Sequence, residues 1–179
     1  MSGRIVFGLI LMMGFLACSE QDADKANAVA KPMAYPVETG VDVEIVYTDS
    51  GFTKANVKAP LLERYASDGK NYTEMKEGIN VVFLTKAQTV ESFLTANYAI
   101  SYDVDKKMIA RNNVVVRNID GDTLKTEELV WDQITQKVSS DKYVTIATKD
   151  ELIMGDGFES DVSFKNPRIY KIRGVVSLK

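Results

Sequence analysis

Residues 112–132 read NNVVVRNIDGDTLKTEELVWD. Val114 and Val116 alternate with Asn113, Val115 and Arg117, then Asp120-Gly121-Asp122 interrupts, and alternation resumes to Trp131. A period of two on both sides of an Asp-Gly turn is the pattern of paired β-strands with one face packed. The stretch has no His, no Cys and no phosphate-binding glycine loop.

The same pattern extends in both directions. Val41, Val43, Ile45 and Tyr47 alternate with Asp42, Glu44, Val46 and Thr48. Leu94, Ala96, Tyr98 and Ile100 alternate with Thr95, Asn97, Ala99 and Ser101, and Val144 and Ile146 with Thr145 and Ala147. Turn chemistry separates the runs: Asp49-Ser50-Gly51, Ser67-Asp68-Gly69, Glu77-Gly78, Asp103-Val104-Asp105-Lys106 and Lys149-Asp150. Short strands joined by tight turns indicate an antiparallel sandwich or roll. The one helical candidate, Leu61-Leu62-Glu63-Arg64-Tyr65, is limited to a turn or two by Pro60 and Gly69. A weak echo of roughly 30 residues relates 94–116 to 124–144, as paired strands stacked in series would. Core candidates are Trp131, Phe83, Phe93, Leu94, Ile100, Ile109, Val114, Val116, Leu129, Val144 and Ile146.

Composition narrows the function. The 179 residues are 45% hydrophobic and 26% charged, with net charge -3, enough for one domain with a real core and no basic stripe for nucleic acid. With no histidine and one cysteine, a Ser-His-Asp triad, a Cys/His zinc site and an internal disulfide are all excluded. Glu127 and Glu128 are adjacent on a strand and point to opposite faces, so they do not form an acid/base pair. Asp156 and Glu159 carry no stronger catalytic signal. Gly155-Asp156-Gly157 lacks the Lys and helix of a phosphate loop and reads as a tight strand turn or a bulge. Asp103, Asp105, Asp120 and Asp122 lack calcium-loop spacing and a closing Glu, and read as turn residues. The chain reads as a non-enzyme without cofactor or metal.

The N-terminus is a separate unit. Arg4 precedes an apolar run, 5–17, shorter than the ~20 residues that span a bilayer. It ends in Phe15-Leu16-Ala17-Cys18. This resembles a bacterial lipobox, with Cys18 the lipidated mature N-terminus; an ordinary signal peptide with an incidental Cys, or an uncleaved anchor, are the other readings. The expected division is a signal peptide at 1–17, a lipidated flexible tether at 18–40 and a β-domain at 41–179.

An ordered set of motifs then resembles the periplasmic lipopolysaccharide-transport families: Thr95-Ala96 through Tyr102, Ala110-Arg111-Asn112-Asn113-Val114-Val115-Val116, Asp120-Gly121-Asp122, Leu124-Lys125-Thr126-Glu127-Glu128-Leu129-Val130-Trp131-Asp132, Ser140-Asp141 and the 155–160 segment. A membrane-tethered domain of this size is similar to the LptC family of export adaptors. Asn112 stands where the family carries Gly, and an N-terminal lipid stands where it usually carries a membrane helix.

The resemblance implies an all-β fold, an open twisted antiparallel β-jellyroll whose walls enclose an apolar groove for acyl chains. It implies that lipopolysaccharide passes from the jellyroll of the inner-membrane ABC transporter to that of a periplasmic bridge protein. The anchor would be lipid in the inner membrane, the outer membrane remaining open. Candidate groove residues are Phe83, Leu94, Ile100, Ile109, Val114, Val116, Leu129, Trp131, Val144 and Ile146. Partner-edge candidates are Ile45 and Tyr47 toward the transporter, and Ile169 and Ile172 toward the bridge. The alternative is a β-rich surface lipoprotein that binds a protein or glycan and transfers no lipid.

Overall fold

The computed structural model describes residues 35–67, 70–164 and 167–178. The apolar run, Cys18 and most of the tether lie outside the described residues. The described chain is all β, with eleven antiparallel strands in one sheet and no helix among the described residues. They are β1 (Glu38–Asp49), β2 (Phe52–Ser67), β3 (Lys70–Met75), β4 (Ile79–Leu84), β5 (Val90–Ala96), β6 (Tyr98–Tyr102), β7 (Lys107–Asn118), β8 (Thr123–Asp132), β9 (Lys137–Ala147), β10 (Glu151–Asp161) and β11 (Arg168–Ser177). The segment around Leu61 is therefore part of a long strand, not a helical turn. Its side chains alternate inward and outward, with Leu62 and Tyr65 buried on opposite faces.

The sheet is a meander interrupted at one level. β2 pairs over its length with β1 and, on its other side, with β4 near its start and β3 near its end. β7 pairs likewise with β8 on one side and with β6 and then β5 on the other. The breaks fall opposite one another. Val41↔Leu61 and Val43↔Ala59 bracket Asp42, which has φ 51. Met75↔Ala99 and Ile79↔Ala96 bracket Lys76-Glu77-Gly78, with Gly78 at φ 92. Arg111↔Glu128 and Val114↔Thr126 bracket Asn112 and Asn113, at φ 62 and 56. Tyr143↔Asp156 and Ser140↔Phe158 bracket Gly157, at φ 77.

Left-handed residues and bulges bend a strand locally, and here they line up into a crease across the sheet. The crease turns one sheet into two facing walls. The first wall holds β3, β6 and the Trp131 end of β8; the second holds β4, β5 and the Leu124 end of β8. Contacts across the gap fix this arrangement: Trp131 meets Phe83 edge-on at 5.8 Å and Tyr47 at 5.5 Å. Asn112 takes the left-handed conformation because its short polar side chain tolerates it.

The interior cluster draws on both walls. Val57, Val81, Val114 and Val144 come from the second wall, and Met75, Leu129, Val138 and Phe158 from the first. Each is 3% exposed or less, and burying such a side chain contributes roughly 1.5–3 kcal/mol. Phe93, a core candidate by sequence, is 45% exposed: it alternates with buried Leu94 and points outward. On the outer face at the crease, Lys76 Nζ bonds Glu63 at 2.5 Å, Glu74 at 3.3 Å and the Tyr65 hydroxyl at 2.8 Å. Tyr65 stacks on Tyr72 at 4.9 Å.

Candidate functional site

The space between the walls is lined by side chains that alternate off facing strands. Of the ten groove candidates, Phe83, Leu94, Val114, Val116, Leu129, Trp131, Val144 and Ile146 all join the interior cluster. Ile100 and Ile109 do not; they pair with each other on the outer face of the first wall. The physical reason lies at Asn97, which separates β5 from β6 and whose N–H donates to Asn112 O at 3.0 Å. Counting by twos from Leu94 and Ala96 across that break puts Ile100 inside. The break resets the phase, so Ala99 points inward instead. In β7, Ile109 alternates with Met108 and Ala110, which are the inward residues.

Both partner-edge pairs lie on the sheet's two edges. Among the described residues, β1 pairs only with β2, and β11 only with β10. Their side chains behave differently from their backbones. Ile45, Tyr47 and Ile169 turn inward and pack on the core, whereas Ile172 is 62% exposed. What each edge offers a partner is a row of backbone N–H and C=O groups.

The walls touch at Trp131, near the end of β8, and cavities lie beside the turns. One cavity, of about 310 Å³, is floored by Val116, Leu124, Ile146 and Phe158, with Asn118, Asp120 and Asp122 at its lip. Two more, of about 230 and 210 Å³, flank Trp131. The β10–β11 connection borders the openings: Ser92 Oγ donates to Val162 O at 3.4 Å, and Phe164 stacks on Phe158 at 6.2 Å. Phe164 has φ 55, a conformation that a bulky residue holds only when its surroundings fix it.

The carboxylates considered for catalysis are engaged otherwise. Glu128 pairs with Arg111 at 2.6 Å, Asp156 with Arg173 at 2.6 Å and Glu159 with Lys137 at 2.8 Å. Lys137 and the Tyr170 hydroxyl hold the Glu159 carboxyl below its usual pKa. Glu127 accepts from the Asn113 N–H at 3.4 Å, on the crease. Gly155 and Gly157 form the expected bulge, where β10 slips register against β9 between Asp156 and Phe158.

A creased antiparallel sheet with an apolar interior and two edge strands does not by itself name a family. The family comparison does: the family described as "Lipopolysaccharide-assembly, LptC-related" matches residues 5–175. The chain belongs to this family. Membership gives it a role in lipopolysaccharide transport and places it facing the periplasm at the inner membrane. The family is one of transport adaptors rather than of enzymes. No curated protein matches the chain by sequence. No helix among the described residues is long and apolar enough to cross a membrane, and the apolar run lies outside them.

Sequence reasoning passed over some of the interior. Val57 and Ala59 sit in β2, where Pro60 suggested an interruption. Phe158 follows the bulge at Gly157, which shifts its phase. The lysines that line the cavities beside Trp131, Lys54 in β2 and Lys86 and Lys106 in two turns, carried no local signal, because they lie far apart in the sequence.

Proposed function

We propose that the protein is a membrane-anchored periplasmic adaptor of lipopolysaccharide export. It accepts lipopolysaccharide from the jellyroll of the inner-membrane ABC transporter and hands it, through the space between the walls, to the periplasmic bridge protein. One observation carries this reading: the strand order ends in β1 on one side and β11 on the other, with an apolar interior between two unpaired edges. Unpaired edges accept strands from a neighbour, and end-to-end pairing of rolls would make their interiors continuous. β1 follows the tether in the sequence and would face the transporter, leaving β11 for the bridge.

Cys18 would be the anchor. Two or three acyl chains, at ~0.8 kcal/mol per buried CH₂, hold a protein on a bilayer stably. Labelled fatty acid should enter the wild-type chain and not Cys18→Ser. Incorporation into the variant would refute lipidation at this residue.

A binding module without lipid transfer would need an exposed aromatic platform. The tyrosine row of the first wall offers little of one: Tyr65 is 6% exposed, and its ring is stacked on Tyr72. The test is purification from membranes followed by mass spectrometry of bound proteins and lipids. Lipopolysaccharide and jellyroll partners should co-purify. A protein or glycan partner without lipid would favour the binding module.

A further inference from the structure

The two cavities beside Trp131 share Lys54, Trp131 and Gln136. Lys86 lines one of them and Lys106 the other. Lys54 reaches this position because β1 and β2 slip register between Tyr47 and Thr48, leaving Lys54 without a cross-strand partner. Lys86 comes from the β4–β5 turn. Lys106, at φ 52, closes the β6–β7 turn, where its carbonyl accepts from Gln133 N at 2.9 Å. None of the three lysines forms an ion pair with another described residue. Two carboxylates, Asp49 and Glu91, line the same openings, so cations are in excess there.

Below the lysines the surface is apolar: Phe83 and Tyr47 pack on the Trp131 ring. Trp131 is 7% exposed, and its Nε1–H has no acceptor among the described residues. A buried donor without a partner is rare in folded proteins. Here it lies where the apolar floor meets the cationic rim.

We propose that these two cavities, which share Lys54, Trp131 and Gln136, together form the headgroup site for an anionic amphiphile. Its chain enters between the walls against Phe83, Tyr47 and Trp131. Its phosphate or carboxylate head stays at the rim among Lys54, Lys86 and Lys106, and an oxygen near the junction accepts the Trp131 N–H. The proposal rests on reading the interior as a lipid path and adds where on the rim the head is held. Charge-assisted bonds from several converging cations give the head its selectivity.

Trp131 is the only tryptophan of the chain, so its emission reports on this opening alone. Full-chain protein is titrated, below micelle-forming concentrations, with monododecyl phosphate, with dodecyl maltoside and with inorganic phosphate. Monododecyl phosphate should shift the Trp131 emission and bind at least about tenfold tighter than the neutral amphiphile, with the preference shrinking at high salt. Inorganic phosphate should leave the emission unchanged. The combined Lys54→Gln, Lys86→Gln and Lys106→Gln variant should lose the preference and keep the weaker neutral binding, whereas Lys125→Gln on the outer face should change neither. Equal affinity for both heads, or a preference that survives the triple substitution, overturns the headgroup site and leaves the lipid path standing. Saturation by inorganic phosphate alone makes it an ion site and also overturns the proposal. If neither amphiphile binds, the lipid path falls, and the headgroup site with it.

Discussion

Trp131 joins the two walls through one side chain. It lies on the first wall and meets Phe83 and Tyr47 of the second at steep interplanar angles, 86° and 72°. Trp131→Ala should lose about 3–5 kcal/mol, read from urea unfolding; a loss below about 1 kcal/mol would mean that the walls do not depend on this contact. Two glycines separate conformation from space. Gly78 and Gly121 have nearly the same φ, 92 and 93. A Cβ on Gly78 would lie 2.7 Å from the Ala96 carbonyl oxygen, whereas one on Gly121 would meet nothing. Gly121→Ala should therefore cost about 1–2 kcal/mol for the backbone alone, and Gly78→Ala should add roughly 1–3 kcal/mol of overpacking. Equal costs in the two variants would contradict the close packing at the crease. Asn112 was readable as a left-handed residue from the sequence, because Asn substitutes for Gly at such positions. Asp42 and Gln88, also at positive φ, were not, since nothing local distinguishes them from ordinary strand and turn residues.

At the scale of elements, the sequence revealed strands more readily than their phase. Val114 and Val116 point inward as the alternation implied, because no break separates them. Ile100 is buried, as a core candidate should be, but on the face away from the interior cluster, because Asn97 resets the count, and a single Asn inside an alternating run looks like any polar strand residue. Pro60 hid half of β2 for a different reason: it lies opposite Asp42, where the ladder is already interrupted, so its missing N–H does not break the strand. The crease also carries the Glu63–Lys76 pair. Lys76 lowers the Glu63 pKa, and Glu63 above all raises that of Lys76. The acid's contribution is complete above its unfolded value of 4.5 and is lost as pH falls through its lower folded value. The base's contribution is complete below 10.5 and is lost as pH rises through its higher folded value. Melting temperature followed from neutral to acid pH should fall less steeply in Glu63→Gln than in wild type; parallel curves would remove the pair from the acid response. The edges call for another probe. Since Ile45 and Tyr47 face the interior, photo-crosslinkers belong at outward Val46 and at Ile172, which are 54% and 62% exposed. Val46 should capture the transporter jellyroll and Ile172 the bridge; the reverse pattern would invert the proposed polarity.

For the molecule as a whole, the decisive property is that one sheet supplies both walls. Each long strand crosses the crease, so parting the walls requires flexing at Gly78, Asn112, Asn113 and Gly157 rather than breaking strand pairs. The walls touch at Trp131, and among the described residues the cavities lie beside the turns, so on the proposed path an acyl chain would displace side-chain contacts of the kind it then replaces. Apolar contact is exchanged for apolar contact, and the net free-energy change is small. That is the profile the proposed conduit requires. The claim that lipopolysaccharide travels between the walls is tested most directly by four matched aromatic positions. Tyr47 and Phe83 face the interior; Phe93 and Tyr143 face outward and are 45% and 46% exposed. Each is replaced in turn by a photo-crosslinking phenylalanine analogue in living cells, and lipopolysaccharide adducts are measured after irradiation. The account predicts adducts at Tyr47 and Phe83 and none at Phe93 or Tyr143. Equal labelling at the outward pair, or no adduct at the inward pair, would contradict it.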